Sequence, residues 1–225
     1  MQKSLLVIGL LFCLPSLPAQ AQIRAWTQVQ LCGLVASDDN LLDEIDDSAP
    51  QEGVDAQMMI EACQQAVSKH PNEQRYVYQL AQAFYNNEDY AQAYTYFRQS
   101  AEQGYAPAQH GLGKLYRMGR GVAQSDTEAV KWFLSAAKQG DLYAQSDLGG
   151  MYSEGRGVAQ SYEQALRWTS LAAERGDSYA QFNLGLIYEM GRGVTPSYTK
   201  AVEWYQKSAY QGNTAAQYQL QYIHR

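Results

Sequence analysis

The sequence predicts an all-α solenoid of helix-turn-helix repeats, and three observations carry that prediction. Segments starting at Ala108, Ala144 and Ala180 repeat at an interval of 36 residues and share 14 positions identical in all three copies. Within each copy, apolar residues recur at helical spacing along two successive stretches, as in Ala108, Leu112, Leu115, Tyr116 and then Ala129, Trp132, Ala136, Ala137. Between the stretches stands the glycine turn G-R-G-V, at 119–122, 155–158 and 191–194. A helix pair of this size cannot bury its apolar stripe alone, so the units must stack on their neighbours.

The chain opens with a basic start (Lys3), a ten-residue apolar run from Leu5 to Leu14, two prolines and Ala19-Gln20-Ala21. This is the pattern of a signal peptide over 1–21, cleaved before Gln22, and it directs a bacterial product to the periplasm or outside the cell. The run is shorter than the roughly 18 residues a bilayer span needs, and no second apolar run follows. Lipid anchoring at Cys13 is the competing reading, and the bulky Phe12 before it argues against that. Cleavage removes one lysine, so the net charge of −6 becomes −7. With this balance no basic surface exists to compete for phosphate backbones, and nucleic acid is not an expected partner.

Cys13 leaves with the signal, and Cys32 and Cys63 remain. In an oxidising compartment such a pair most simply forms one structural disulfide; neither C-x-x-C nor a thiolate metal spacing is present. Residues 22–71 then form an N-terminal segment holding an acidic loop and one helix. The loop carries eight carboxylates between Asp38 and Asp55 with no lysine or arginine among them. The helix is marked by Met58, Met59, Ile60, Ala62, Cys63, Ala66 and Val67 and ends at His70-Pro71.

The units follow at 72–107, 108–143, 144–179 and 180–215, with a half-unit at 216–225. In each, Gly119, Gly155 or Gly191 ends the first helix. Ser125, Ser161 and Ser197 start the second, with S-x-x-E and S-x-x-Q capping boxes at the first two. Gly140, Gly176 and Gly212 stop it, as Gly104 does upstream, and Asp141, Asp177 and Asn213 cap the next first helix. In 72–107 the inter-helix turn is four residues shorter. Leu80, Ala81 and Phe84 are displaced by that amount, while Ala93, Tyr96 and Ala101 keep the register of 36.

The pattern A-x-x-x-L-G-x-x-Y-x-x-G-x-G-V followed by A-x-x-W-x-x-x-x-A-x-x-G, over 108–225, resembles the Sel1-like repeat, a relative of the tetratricopeptide repeat; the unit at 72–107 is closer to the tetratricopeptide form. The resemblance implies a right-handed superhelix with a concave face lined by the first helices. It also implies which positions face the groove: those five and two before the signature leucine and two after it. These are Tyr143 and Tyr179 at the first offset, and His110, Ser146, Phe182 and Tyr218 at the second. The third offset has Lys114, Gly150, Leu186 and Tyr222, and Tyr78 and Gln82 continue the line upstream. The arrangement around Cys32 and Cys63 is similar to the disulfide-tied N-terminal cap of some exported repeat proteins.

Little else in the sequence offers chemistry. G-R-G-V lacks the following Lys-Ser/Thr and the preceding strand of a phosphate loop. Its arginines (Arg120, Arg156, Arg192) form a basic row along one edge, or each pins its own turn or faces solvent. His70, His110 and His224 are scattered, and the acidic loop lacks calcium-loop spacing. No catalytic residue, metal or cofactor is expected. The expected function is non-catalytic protein–protein interaction in the cell envelope, with aromatics bearing polar tips as the recognition surface. The bland reading is that a small solenoid shows leftover aromatics. A secreted host-interacting factor and a cell-wall or β-lactam hydrolase are the other readings.

Overall fold

The computed structural model describes Cys32 and residues 56–223. Among these residues every regular element is an α-helix, and the class is the all-α solenoid of helix-turn-helix units. The leader at 1–21, the acidic loop and His224 lie outside the described residues. The chain divides into two parts, 1–96 and 97–225.

In the first part, α1 (Ala56–Lys69) buries Ile60, Ala62, Cys63 and Ala66 along one stripe and stops just before Pro71. It packs on α2 (Gln74–Asn86), which buries Val77, Tyr78, Leu80, Ala81 and Phe84. Phe84 stacks on Tyr96 in the middle of α3 (Tyr90–Glu102), with ring centroids 5.5 Å apart. The α2–α3 turn is only 87–89, shorter by the predicted four residues than the turn at 119–125.

Cys32 and Cys63 are bridged, with Cα atoms 4.9 Å apart. Both are fully buried, and Cys32 Sγ lies 3.1 Å from Gln79 Oε1 of α2. A bridge across 31 residues restricts the unfolded chain enough to stabilise the fold by about 3–4 kcal/mol on the chain-entropy model. Reduction is therefore expected to lower the denaturation midpoint of the full chain. A thiol titration that finds two free thiols in the protein purified without reductant would defeat the assignment.

The second part continues through α4 (Ala106–Met118), α5 (Asp126–Lys138), α6 (Leu142–Glu154), α7 (Tyr162–Glu174), α8 (Ser178–Met190), α9 (Tyr198–Tyr210) and α10 (Thr214–Ile223). Each first helix ends on a left-handed glycine, as at Gly119 with φ 67°. Each second helix begins on a serine whose Oγ accepts from the N–H three residues on: Glu128, Gln164 and Lys200. At its end the N–H of Gly140 reaches Ala137 O and that of Asp141 reaches Ala136 O, which together satisfy two orphan carbonyls. The Asp141 carboxylate in turn accepts from Ala144 N at 2.8 Å and starts α6. Asp177 and Asn213 repeat this at α8 and α10.

Consecutive units are tied by two devices that the repeat pattern does not reveal. Gln109, Gln145 and Gln181, whose spacing marks only the register in the sequence, are buried, and each Nε2 donates to the carbonyl eight residues earlier: Ala101, Ala137 and Ala173. Gln217 does the same to Ala209. The second glycine of the turn is the other tie. Gly157 lies on the Asp126 backbone and Gly193 on the Tyr162 backbone, each at the start of the preceding unit's second helix. Their arginines reach the same place: Arg156 forms an ion pair with Asp126 at 3.0 Å, and the Arg192 guanidinium lies 5.6 Å from the Tyr162 ring. Arg156 and Arg192 are exposed, as one of the expected arrangements has it, and they also join neighbouring units because the turn lies against the previous unit.

Candidate functional site

The offsets of −5, −2 and +2 from the signature leucine differ by three and four residues, so on a helix they fall on one face. On α4 that face carries His110 and Lys114, with Arg117 one turn further. His110 Nε2 and Asp147 Oδ2 of α6 are 3.0 Å apart, and Arg117 pairs with the other oxygen of the same carboxylate. The His110 ring lies 5.5 Å from Phe133 and stacks on Tyr143 at 5.9 Å. Burial pushes the Asp147 carboxyl up, but His110 and Arg117 together outweigh it and hold the group below its ordinary value. Lys114 is half-buried and makes no ion pair among the described residues.

On α6, Ser146 Oγ donates to Asp177 at 2.9 Å. Burial pushes the Asp177 carboxyl above its ordinary value, against the opposing bonds from Ala180 N and Ser146. Gly150, at the +2 offset, faces open space: a Cβ placed there meets nothing within 4 Å.

Towards the C-terminus the face becomes aromatic. Tyr179 is 64% exposed, and Phe182 and Leu186 are half-buried, the former with its ring 5.7 Å from that of Tyr205. Tyr218 and Tyr222 of α10 are 58% and 55% exposed, with ring centroids 4.6 Å apart and hydroxyls at 2.7 Å. Tyr205 itself is fully buried beneath Gly185, and burial with the nearby Glu189 carboxylate pushes its phenol upward. The signature tyrosines Tyr116, Tyr152 and Tyr188 are half-buried and pack on the cores, as expected.

One of the expected positions is not presented at all. Tyr78 is 8% exposed and belongs to the core of α2, which corrects its expected presentation to a partner. α1 packs on α2, and Cys32 lies against the adjoining Gln79, so this helix is covered in a way the later first helices are not. Gln82 is half-buried on α2, in the first part of the chain. Arg117 and Asp147 are on the face although the sequence pattern did not select them. They sit at offsets +5 and −1, where Ser153 and Glu189, and Asn183 and Gln219, show the same copy-to-copy variation that marks the other positions.

Chemically, the arrangement offers hydrogen-bonding and stacking groups. The Ser146 hydroxyl is directed to Asp177, so it does not complete a nucleophilic set with the His110–Asp147 pair. Among the described residues no three histidine, cysteine or carboxylate groups gather as metal ligands, and no helix is long and apolar enough to cross a membrane.

The Sel1 repeat family profile matches residues 78–105, 106–141, 142–177 and 178–213. No match is found among the curated proteins. Among solved structures, a protective antigen present in uropathogenic Escherichia coli strains, displaying an SLR fold, is 39% identical with a TM-score of 0.68 over 73% of this chain and 36% of its own. A Sel1 repeat protein from Oxalobacter formigenes is 29% identical with a TM-score of 0.66, covering 75% of this chain and 50% of that one. The present chain thus spans about a third and a half of their lengths. A putative sel1 repeat protein from Klebsiella pneumoniae subsp. pneumoniae shares the fold at 20% identity and a TM-score of 0.53, covering 88% and 92%. With four matched repeats covering most of the described residues, the chain belongs to the Sel1 repeat family.

Proposed function

We propose that this protein is a non-catalytic scaffold or regulator of the bacterial cell envelope that holds a peptide or partner protein against the first-helix face of α4, α6, α8 and α10. Sel1 repeat proteins generally mediate protein–protein interaction, and the family is typically a non-catalytic scaffold. The observation that carries the reading is the exposure of Tyr179, Tyr218 and Tyr222 at groove offsets, while Leu184, the signature leucine of α8, packs inward. Aromatics that combine a large apolar body with a polar tip are the side chains that dominate binding energy at interfaces. The envelope location is supported by the leader-like start of the sequence and by the buried disulfide, a bond that persists in oxidising compartments.

Replacing Tyr179 and Phe182 together by alanine tests the face. Partner capture, by crosslinking in intact cells followed by mass spectrometry, is expected to be lost, at a cost of about 2 kcal/mol or more per anchor. Helicity and melting temperature stay close to those of the parent. Tyr188→Ala is the control, since its loss should weaken the unit with or without a partner. Undiminished capture by the folded double variant would remove this face from consideration. The likeness to a protective antigen supports a second reading, a secreted factor that meets host proteins; crosslinked products of host origin would favour it.

A further inference from the structure

Resting on that reading of the first-helix face, we infer that the ligand is an extended peptide of about nine residues, with an acidic side chain at one end and an apolar one at the other. The +2 offsets form a row across the four first helices, Lys114, Gly150, Leu186 and Tyr222, and its chemistry changes along its length in a way that specifies the ligand.

At one end, the acid of the chain as a whole does not extend to this surface. Residues 108–223 carry 11 basic and 10 acidic side chains, so the overall charge of −6 originates upstream of them. Beside α4, Asp147 of α6 is already met by both His110 and Arg117. Lys114 makes no ion pair among the described residues. A lysine that makes no ion pair on a face without excess acid offers its charge to an incoming carboxylate.

The middle of the row is empty. Gly150 has open space where a side chain would stand, and a missing side chain on an exposed face allows another backbone to come close. At the far end Leu186 and Tyr222, flanked by Phe182 and Tyr218, offer an aliphatic and aromatic seat. Contacting helices are spaced about 8–10 Å apart, so the row from α4 to α10 measures about 30 Å. An extended strand rises about 3.3 Å per residue, which gives a ligand of about nine residues. Either chain direction satisfies this chemistry.

The test is selection of random decapeptides displayed on phage against the oxidised full chain. Retained peptides are expected to be enriched in Asp or Glu at one end and in Leu, Phe or Tyr six to eight residues away. For a retained peptide made synthetically, Lys114→Glu should weaken binding by about tenfold or more, an effect that falls as salt screens the pair. Gly150→Tyr should block the row and abolish binding, with the far-ultraviolet circular dichroism unchanged. Retained peptides without acidic bias, or unaffected by Lys114→Glu, would overturn this polarity and leave docking on the face standing, whereas binding unaffected by Gly150→Tyr would overturn docking on the face as well. If no peptide is enriched above background, peptide docking fails together with the polarity.

Discussion

Trp168→Ala is expected to lower the unfolding free energy by about 3–5 kcal/mol, the usual cost of deleting a large buried aromatic. Trp168 is 7% exposed and lies in a core built from two successive units, among Ala129, Val130, Phe133, Leu148 and Met151. The cavity would therefore open at a junction between units, and a single unit could not collapse to fill it. Trp168→Phe should behave quite differently. The indole Nε1 is buried without a hydrogen-bond partner, and leaving such a group unsatisfied costs about 1–3 kcal/mol. Phenylalanine loses volume but also removes that donor, so its stability should fall within about 1.5 kcal/mol of the parent. Denaturant midpoints of the two variants read the difference, and coincident curves would show that the indole does not fill the junction.

Gly157→Ala is expected to be almost as damaging, although the residue is in a turn. Its φ is +66°, a region that costs an L-residue about 1–2 kcal/mol. A Cβ there would also overlap the carbonyl carbon and oxygen of Asp126. That obstacle is backbone in the first turn of a helix, with no flexible end to move aside, and forced overpacking adds about 1–3 kcal/mol. Gly150→Ala makes the contrast. It lies in the interior of α6 facing open space, where alanine in place of glycine gains up to about 1 kcal/mol. Opposite shifts in melting temperature for the two substitutions are the expected result. A Gly157→Ala variant as stable as the parent would mean that the turn does not seat on the preceding unit.

The helices, their order and their ends were legible in the sequence because each is written locally. The serine caps, the helix-stopping glycines and the aspartates at 141 and 177 act within four or five residues of themselves, and a period of 36 multiplies every such signal. The shortened turn after α2 was legible for the same reason. What could not be read were pairings between units. Gln145 looks like an ordinary polar residue in a helix until Ala137 O is placed beside it, and Gly157 looks like a turn residue until Asp126 lies beneath it. For the groove, the varying positions were identifiable, but their states were not. Ser146 is committed to Asp177, His110 and Arg117 to Asp147, and Tyr78 to the core. Only Tyr179, Tyr218 and Tyr222 stand substantially exposed among the aromatics expected there.

Several side-chain ties, within units and between them, share one arithmetic. Gln139 to Gln109, Arg156 to Asp126, Ser208 to Ser178 and Gln211 to Gln181 all join residues 30 positions apart. A duplication or excision of 36 residues leaves every one of those partnerships intact, with each residue meeting the equivalent of its former neighbour. A change of any other length breaks all of those that span the cut at once. The architecture can therefore lengthen or shorten only in whole steps, and each step adds about 10 Å to the first-helix face. On the proposed reading that is enough for about three more residues of an extended ligand, and the protein is a ruler with fixed graduations.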